Sequence, residues 1–200
     1  QICQQAIAAD INQAPLRQAQ ETVDAFNCRQ KIDLRLGSGL QIIDRNDPVN
    51  LIVIAGLGGQ TIAGMLTEGK EKIQPFMKLI LQPMNETGYL RLYLAQNGFS
   101  ITHETLAMEG SRLYEIIMAE PGVEQEKDLF RLSLGPRLLE TKPPLFNLLL
   151  KEKIRKLRIV CRSLQRAEKE DVSQKLDQVK KQLLCLQEVL TGAAKRSDTD

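Results

Sequence analysis

The stretch Leu51-Ile52-Val53-Ile54-Ala55-Gly56-Leu57-Gly58-Gly59 decides the fold. An apolar run with no polar break matches a parallel strand, whose crossover helices cover both of its faces. The glycines end that strand and open a helix that runs through Leu66. Lacking a Cβ, they let a ligand approach the backbone closely.

The same alternation extends outward. Upstream, Ala6–Asp10 is a short apolar run ending in an acid, and Ala14–Cys28 has helical spacing with Pro15 in its first turn, where a missing N–H leaves no bond unmade. Lys31–Leu36 alternates strictly and then meets Gly37-Ser38-Gly39, a strand and a turn. Downstream, Lys78-Leu79-Ile80-Leu81 reads as another buried strand stopped by Gln82-Pro83. Glu86–Gln96 predicts a helix closing at Asn97-Gly98, and Phe99–Leu106 and Arg112–Glu120 predict strands joined at Glu109-Gly110, a hairpin signal. Strands alternating with helices predict an α/β parallel sheet, with the hairpin adding an antiparallel strand to its edge.

Residues 121–144 read as a polar, proline-rich connector containing Leu134-Gly135-Pro136 and Pro143-Pro144, and divide residues 1–140 from a helical part, 141–200. Val172, Leu176, Val179, Leu183, Leu186 and Leu190 are spaced as a strict heptad, with Asp171 and Gln174 as an N-cap and its capping-box partner. Phe146, Leu150, Leu157, Val160, Leu164 and Ala167 follow the same alternation, with Lys153 at the position they skip. Two such helices joined near residues 168–170 predict an antiparallel coiled-coil hairpin, within a monomer or as the contact of an oligomer.

The 200 residues carry a formal net charge of +2, too little in total to argue for a nucleic-acid partner. The distribution says more. Residues 1–150 hold 14 basic and 17 acidic side chains, whereas residues 151–170 hold 8 basic and 3 acidic. Lys151, Lys153, Arg155, Lys156, Arg158, Arg162, Arg166 and Lys169 recur along one helix, a stripe suited to phosphate contacts that give affinity without reading sequence.

Other chemistries find little support. Cys3, Cys28, Cys161 and Cys185 never form a CxxC pair, so free thiols are expected rather than a metal site or a disulfide framework. The single histidine, His103, stands in an alternating segment and is expected on a solvated face. Aromatic residues are 4% with no tryptophan, which argues against a stacking surface for single strands. No apolar run reaches the roughly 18 residues of a membrane span, no basic-then-apolar leader is visible, and a cytoplasmic protein is expected.

In an open α/β sheet, ligands bind beyond the carboxyl ends of the strands. Asp10 ends one strand there, and an acid at that point can accept both hydroxyls of a ribose. Gly37-Ser38-Gly39-Leu40 ends the next, and Ala55-Gly56-Leu57-Gly58-Gly59 the third. Together and in this order they favour a nucleoside-containing ligand.

These segments also carry a resemblance. Leu51–Gly59, then Glu68-Gly69-Lys70 and Leu79-Ile80-Leu81-Gln82-Pro83, are similar to the bacterial tRNA (adenine-22) N1-methyltransferase family. The likeness continues through Leu90–Leu94, Asn97-Gly98-Phe99, Tyr114–Ile117, Leu134-Gly135-Pro136 and the helical tail. It implies a Rossmann-like class I methyltransferase sheet with a C-terminal coiled-coil hairpin, S-adenosyl-L-methionine (SAM) as cofactor, tRNA as partner, and no requirement for a metal or a membrane. It further implies that Asp10, with Ile11 and Asn12, takes the acidic position at the SAM ribose. Gly37, Ser38, Gly39 and Leu40 match a Gly-Asp-Gly turn beside the adenine, with Ser38 in place of the carboxylate. Ala55, Gly56, Leu57, Gly58 and Gly59 match the loop beside the methyl donor, and Gln82-Pro83 falls where related enzymes hold the target base. The basic stripe and residues 141–200 become the tRNA-binding part. The resemblance implies, in addition, a first strand and a glycine-rich loop ahead of Ala6, so the chain is expected to be short of its family and its sheet to lack a strand. The residues themselves leave open a non-catalytic RNA-binding or coiled-coil interaction protein derived from a methyltransferase.

Overall fold

The computed structural model describes residues 4–166 and 172–192. Six strands and seven α-helices follow one another as β1 (Ala6–Asp10), α1 (Gln13–Ala25), β2 (Ile32–Leu36), β3 (Leu51–Leu57), α2 (Gly59–Glu68), β4 (Lys78–Pro83), α3 (Thr87–Gln96), β5 (Phe99–Glu109), β6 (Arg112–Pro121), α4 (Leu129–Leu134), α5 (Pro136–Thr141), α6 (Phe146–Gln165) and α7 (Val172–Thr191). The expected Asp171 cap, Ala167, Lys169 and the 168–170 joint lie outside the described residues. The chain divides into two units. One holds residues up to His103 together with Ile116–Gln125, and the other holds Glu104–Glu115 with Glu126 onward.

In the first unit the strands form two sheets. β1 pairs with β2 in parallel, and a four-stranded sheet runs in the order β3-β4-β6-β5. β3 and β4 are parallel, and β4 and β6 antiparallel, so the hairpin does join the sheet through β6. β1 and β3 therefore each have one strand neighbour among the described residues. The two sheets are joined by packing instead. A 3-10 turn after β2, Gly39–Ile42, lies on α2, and its Leu40 is buried so closely against Gly69 that a Cβ there would fall 2.4 Å from that of Leu40.

The core follows from the alternation of strand side chains. Leu79 and Leu81 of β4, Ile117 and Ala119 of β6 and Ile101 of β5 are fully buried, with Ile62 and Leu66 of α2 and Leu90 and Leu94 of α3. β3 departs from the expectation of cover on both faces. Ile52 and Ile54 are buried, but Leu51 and Val53 are 41% and 61% exposed. An all-apolar run cannot say which of its faces is covered, because both carry the same chemistry. Among buried charged groups, Glu124 accepts the Ile101 amide at 2.8 Å.

In the second unit, Leu134, Leu138, Phe146, Leu149, Leu150, Ile154 and Leu186 form one cluster. The connector expected to be irregular folds into α4 and α5. Asp128 caps α4 by accepting the Arg131 amide at 2.9 Å, and Pro136 starts α5. The buried carboxylate of Glu104 accepts the Arg137 amide at 2.9 Å, which completes the first turn of α5. α6 and α7 pack together. On α7 the expected heptad holds, with Val179 and Leu186 buried and Leu176, Leu183 and Leu190 partly so. On α6 it holds at Phe146 and Leu150, which are buried, and at Leu157 and Leu164, which are partly so, but Val160 is exposed and Ile154, off the expected seam, is buried.

Two substitutions separate these contributions. Leu150→Ala should cost about 2–5 kcal/mol through the cavity it leaves. Glu104→Ala should cost about 1–3 kcal/mol through unpaired buried amides. Urea midpoints for the two variants and for Glu104→Gln, which retains an acceptor and should lie between them and the parent, check this.

Candidate functional site

The carboxyl end of β3 is built around an irregularity. Ala55 stands opposite Gln82 and Leu57 opposite Pro83, which leaves Gly56 as an extra residue in the ladder. Such a bulge needs a residue tolerant of positive φ, and Gly56 has φ +79°. Its amide, turned out of the ladder, donates to Gln82 Oε1 at 3.0 Å. The Gln82 Nε2 donates in turn to the Pro83 carbonyl at 3.1 Å, which fixes the orientation of the carboxamide. The Met84 amide donates to the Leu57 carbonyl at 2.8 Å and the Gly59 amide to the Asn85 carbonyl at 3.2 Å. The glycine loop and the turn after β4 are thus one hydrogen-bonded piece.

The loop's glycines do different work. A Cβ on Gly56 would meet nothing within 4 Å, so the space beside it is open. A Cβ on Gly59 would lie 2.6 Å from the Glu86 carbonyl oxygen, and one on Gly58 3.0 Å from Asn85 Oδ1. Gly56 and its neighbours Ala55 and Leu57 are exposed, while Gly59 is buried. Gly56 therefore faces a potential ligand, whereas Gly59 lets α2 pack against the turn that starts α3. Glu86 stands in that turn at φ +50°, with its side chain held by Gln60 at 2.7 Å.

The ends of β1 and β2 are tied in the same way. The Gly37 amide donates to the Asp10 carbonyl at 3.0 Å, and the Asn12 amide donates to Asp10 Oδ1 at 2.7 Å. The Asp10 carboxylate is thereby oriented at the strand end and remains half-exposed, while Ile11 is largely exposed. Ser38 precedes the 3-10 turn and Gly39 opens it at φ +54°. Leu40 differs from the other expected ligand residues, because its buried side chain anchors the turn to α2 rather than facing solvent.

One part of this frame was not apparent from sequence. Arg35 leans from β2 over the following loop, donating to the Ile42 carbonyl at 2.7 Å and to Asp47 Oδ1 at 2.9 Å, with Asp33 on its other side at 2.8 Å. The guanidinium beside it, and then the Asp44 amide, hold the Asp47 carboxyl at about 2. An arginine within an alternating strand, followed by the acid-rich segment Asp44–Asp47, was the available signal.

The basic stripe divides. Lys151, Arg155, Lys156, Arg158, Arg162 and Arg166 are exposed, and Lys169 lies outside the described residues. Lys153 is half-buried and bonded to Glu115 at 3.0 Å, which withdraws it from the free surface. Arg155 pairs with Glu152 at 2.9 Å. His103 is exposed, as expected. Cys28, Cys161 and Cys185 are free thiols, and no cluster of His, Cys, Asp or Glu among the described residues is arranged to hold a metal ion. No described helix is long and apolar enough to cross a membrane.

Residues 1–188 match the family model described as tRNA (adenine(22)-N(1))-methyltransferase. The chain belongs to this family. A Bacillus subtilis protein of the same description is 29% identical over 191 residues, which are 92% of this chain and 80% of that protein. The crystal structure of the B. subtilis m1A22 tRNA methyltransferase superposes with a TM-score of 0.83 at 27% identity, covering 93% of this chain and 82% of that one. A Streptococcus pneumoniae protein solved in complex with SAM gives a TM-score of 0.82 at 30% identity, covering 94% and 81%. The fold is accordingly Rossmann-like, with mixed α/β content.

The loop geometry separates two glycine substitutions. Gly59→Ala should lower the melting temperature more than Gly56→Ala, because the first drives a Cβ into backbone and the second incurs only the left-handed penalty of about 1–2 kcal/mol; thermal melts of both check the order. The Arg35 clamp predicts a titration. A depressed carboxyl adds stability at every pH above its ordinary value and loses it as pH falls through about 2. In Arg35→Gln the titration of the Asp47 carboxyl resonance should move up from about 2 toward the ordinary value of about 3.9, stopping below it because the Asp44 amide still donates to it, as followed by carbon NMR.

Proposed function

We infer that this chain transfers a methyl group from SAM to N1 of adenine in tRNA, at position 22. The carrying observation is the bulge at Gly56: an open, left-handed glycine at the carboxyl end of a parallel strand, rigidly joined to Gln82-Pro83, in a chain of the m1A22 family. When bound, SAM would supply an electrophilic methyl group: adenine N1 would bond the methyl carbon as its bond to sulfur breaks, S-adenosylhomocysteine would leave as the neutral thioether, and the positive charge would pass to the methylated base.

The residues present suit such a cofactor. An oriented carboxylate, Asp10, stands where ribose hydroxyls need an acceptor, with Ile11 and Asn12 shaping that turn. Ser38 and the amide of Gly39 offer short polar contacts to an adenine ring, in a turn held by the Gly37 amide on the Asp10 carbonyl. The space that a Cβ on Gly56 would fill is free. We place the target base beside Gln82 and Pro83. A carboxamide has no proton to exchange at working pH, so Gln82 acts by position. With its oxygen on Gly56, it fixes the distance between the loop that faces the methyl donor and the turn that faces the base. Positioning and exclusion of water are the main demands of this reaction on the protein. We assign the cofactor to residues 1–140 and tRNA binding to residues 141–200, with α6 and α7 as an antiparallel coiled-coil hairpin and the cytoplasm as the place of action.

The purified chain should bind SAM by calorimetry and methylate N1 of an adenine in unmodified tRNA, and absence of both would refute the assignment. Asp10→Asn should weaken SAM about tenfold or more, since a charge-assisted acceptor is lost. Gln82→Met should weaken it roughly fivefold, the equivalent of about 1 kcal/mol for one neutral hydrogen bond, with tRNA affinity unchanged.

A further inference from the structure

Within the second unit, α6 and α7 enclose a groove of about 480 Å³. Its wall on α6 is cationic. Lys151, Arg155, Arg158 and Arg162 line it, spaced by four, three and four residues, so they stand in one row about 16 Å long. Arg155 is engaged by Glu152, but Lys151, Arg158 and Arg162 have no carboxylate partner among the described residues, and no acid lines the groove. The floor is apolar. Ile154 and Leu190 form it, and Ile159 stands 53% exposed beside the arginines. Gln187 and Thr191 add an amide and a hydroxyl at the α7 edge.

A single exposed isoleucine is ordinary on a helix, but a row of cations lining a groove that no acid lines is not the mixed-charge pattern of a solvated face. Three of the four cations have no carboxylate partner among the described residues, and they stand beside apolar surface. That combination suits a ligand with repeated negative charge and planar, weakly polar groups between the charges, which is the chemistry of RNA. Arginine serves both needs, because its guanidinium bonds phosphate oxygens and also stacks on bases. Lys156, one residue after Arg155, is rotated about 100° away from the row, and Lys153 is held by Glu115. The eight cations read from sequence as one stripe are therefore not equivalent.

We propose that this groove, rather than the whole basic helix, is the tRNA-docking site. The row Lys151–Arg158–Arg162 takes consecutive phosphates, and Ile159 and Leu190 carry an unstacked nucleoside. The inference rests on the assignment of tRNA as substrate and specifies where the substrate is held.

The test compares charge-matched variants of the full chain: Arg158→Gln/Arg162→Gln in the row, and Lys156→Gln/Lys181→Gln off it, Lys181 being an exposed cation of α7 that does not line the groove. Binding of unmodified tRNA is measured over a series of salt concentrations, together with kcat, KM and SAM affinity. The row pair should lose tRNA affinity at least tenfold and raise KM to match, with kcat and SAM affinity unchanged. Its salt slope should fall by about 1.4–1.8, since each of the two phosphate contacts contributes roughly 0.7–0.9. The off-row pair should change affinity less than threefold. Ile159→Ser should weaken binding threefold or more with the slope unchanged, the mark of a contact to a base rather than a phosphate. Equal losses in both pairs, no loss with Ile159→Ser, or competition by polyglutamate as effective as by RNA would each overturn the proposal. Methyl transfer by the parent chain with both pairs alike would remove the groove and leave the function standing. Groove-dependent tRNA binding without methyl transfer would do the reverse.

Discussion

The structure turns on one surplus residue. β3 and β4 run in register from Leu51 opposite Lys78 to Ala55 opposite Gln82, and then β3 takes one residue more than its partner. A parallel ladder tolerates an insertion poorly, because each amide it displaces must find another acceptor. Here the displaced amide belongs to Gly56, the acceptor is the Gln82 side chain, and the backbone reaches φ +79° at no steric cost. Everything at that edge follows from this arrangement. Once the loop leaves the ladder at Gly56, Gly59 can enter α2 with its amide on the Asn85 carbonyl.

A consequence is that the two halves of the proposed reaction centre share a support. The loop proposed to face the methyl donor and the turn proposed to face the base are not independent modules that meet by packing. They are joined by the Gly56–Gln82 bond and the Met84–Leu57 bond, so a shift in one is transmitted to the other over a single hydrogen bond. In-line transfer depends on such alignment, since an error of an ångström can cost two orders of magnitude in rate. The enzyme gains this alignment from backbone geometry rather than from acid–base groups. That agrees with a chain whose single histidine, His103, stands exposed in β5 and outside the proposed site.

How far the sequence could be read depended on whether a signal was local. Parallel strands ending in glycine, the hairpin at Glu109-Gly110 and the α7 heptad are local patterns, and all three stand in the structure. The position of Gln82 was legible from its place after Leu79–Leu81, but its bond to Gly56, 26 residues away, was not. The Arg35–Asp47 clamp was hidden for the same reason. On α6 the departure is local: Phe146, Leu150, Leu157 and Leu164 keep to the expected seam, but Val160 is exposed and Ile154 is buried in addition. Lys153, read as an interruption of the seam, is instead a half-buried cation satisfied by Glu115, a partner on β6 that no helical periodicity reveals.

Ser38 shows what a backbone-built site permits. Its hydroxyl replaces a carboxylate at the adenine position implied by the resemblance, and a neutral acceptor gives roughly half the strength of a charged one. In a site that relied on side-chain charge, this change would be severe. Here the turn is already held by the Gly37 amide on the Asp10 carbonyl and by Leu40 buried on α2, so the amides near Ser38 keep their places whatever side chain stands there. The affinity lost at the adenine then falls on Asp10, whose orientation by the Asn12 amide leaves the other carboxylate oxygen for the ribose. In the proposed reading, recognition of the cofactor is thus concentrated on one charge and a frame of glycines, and recognition of the RNA on a row of cations some hundred residues later in the chain.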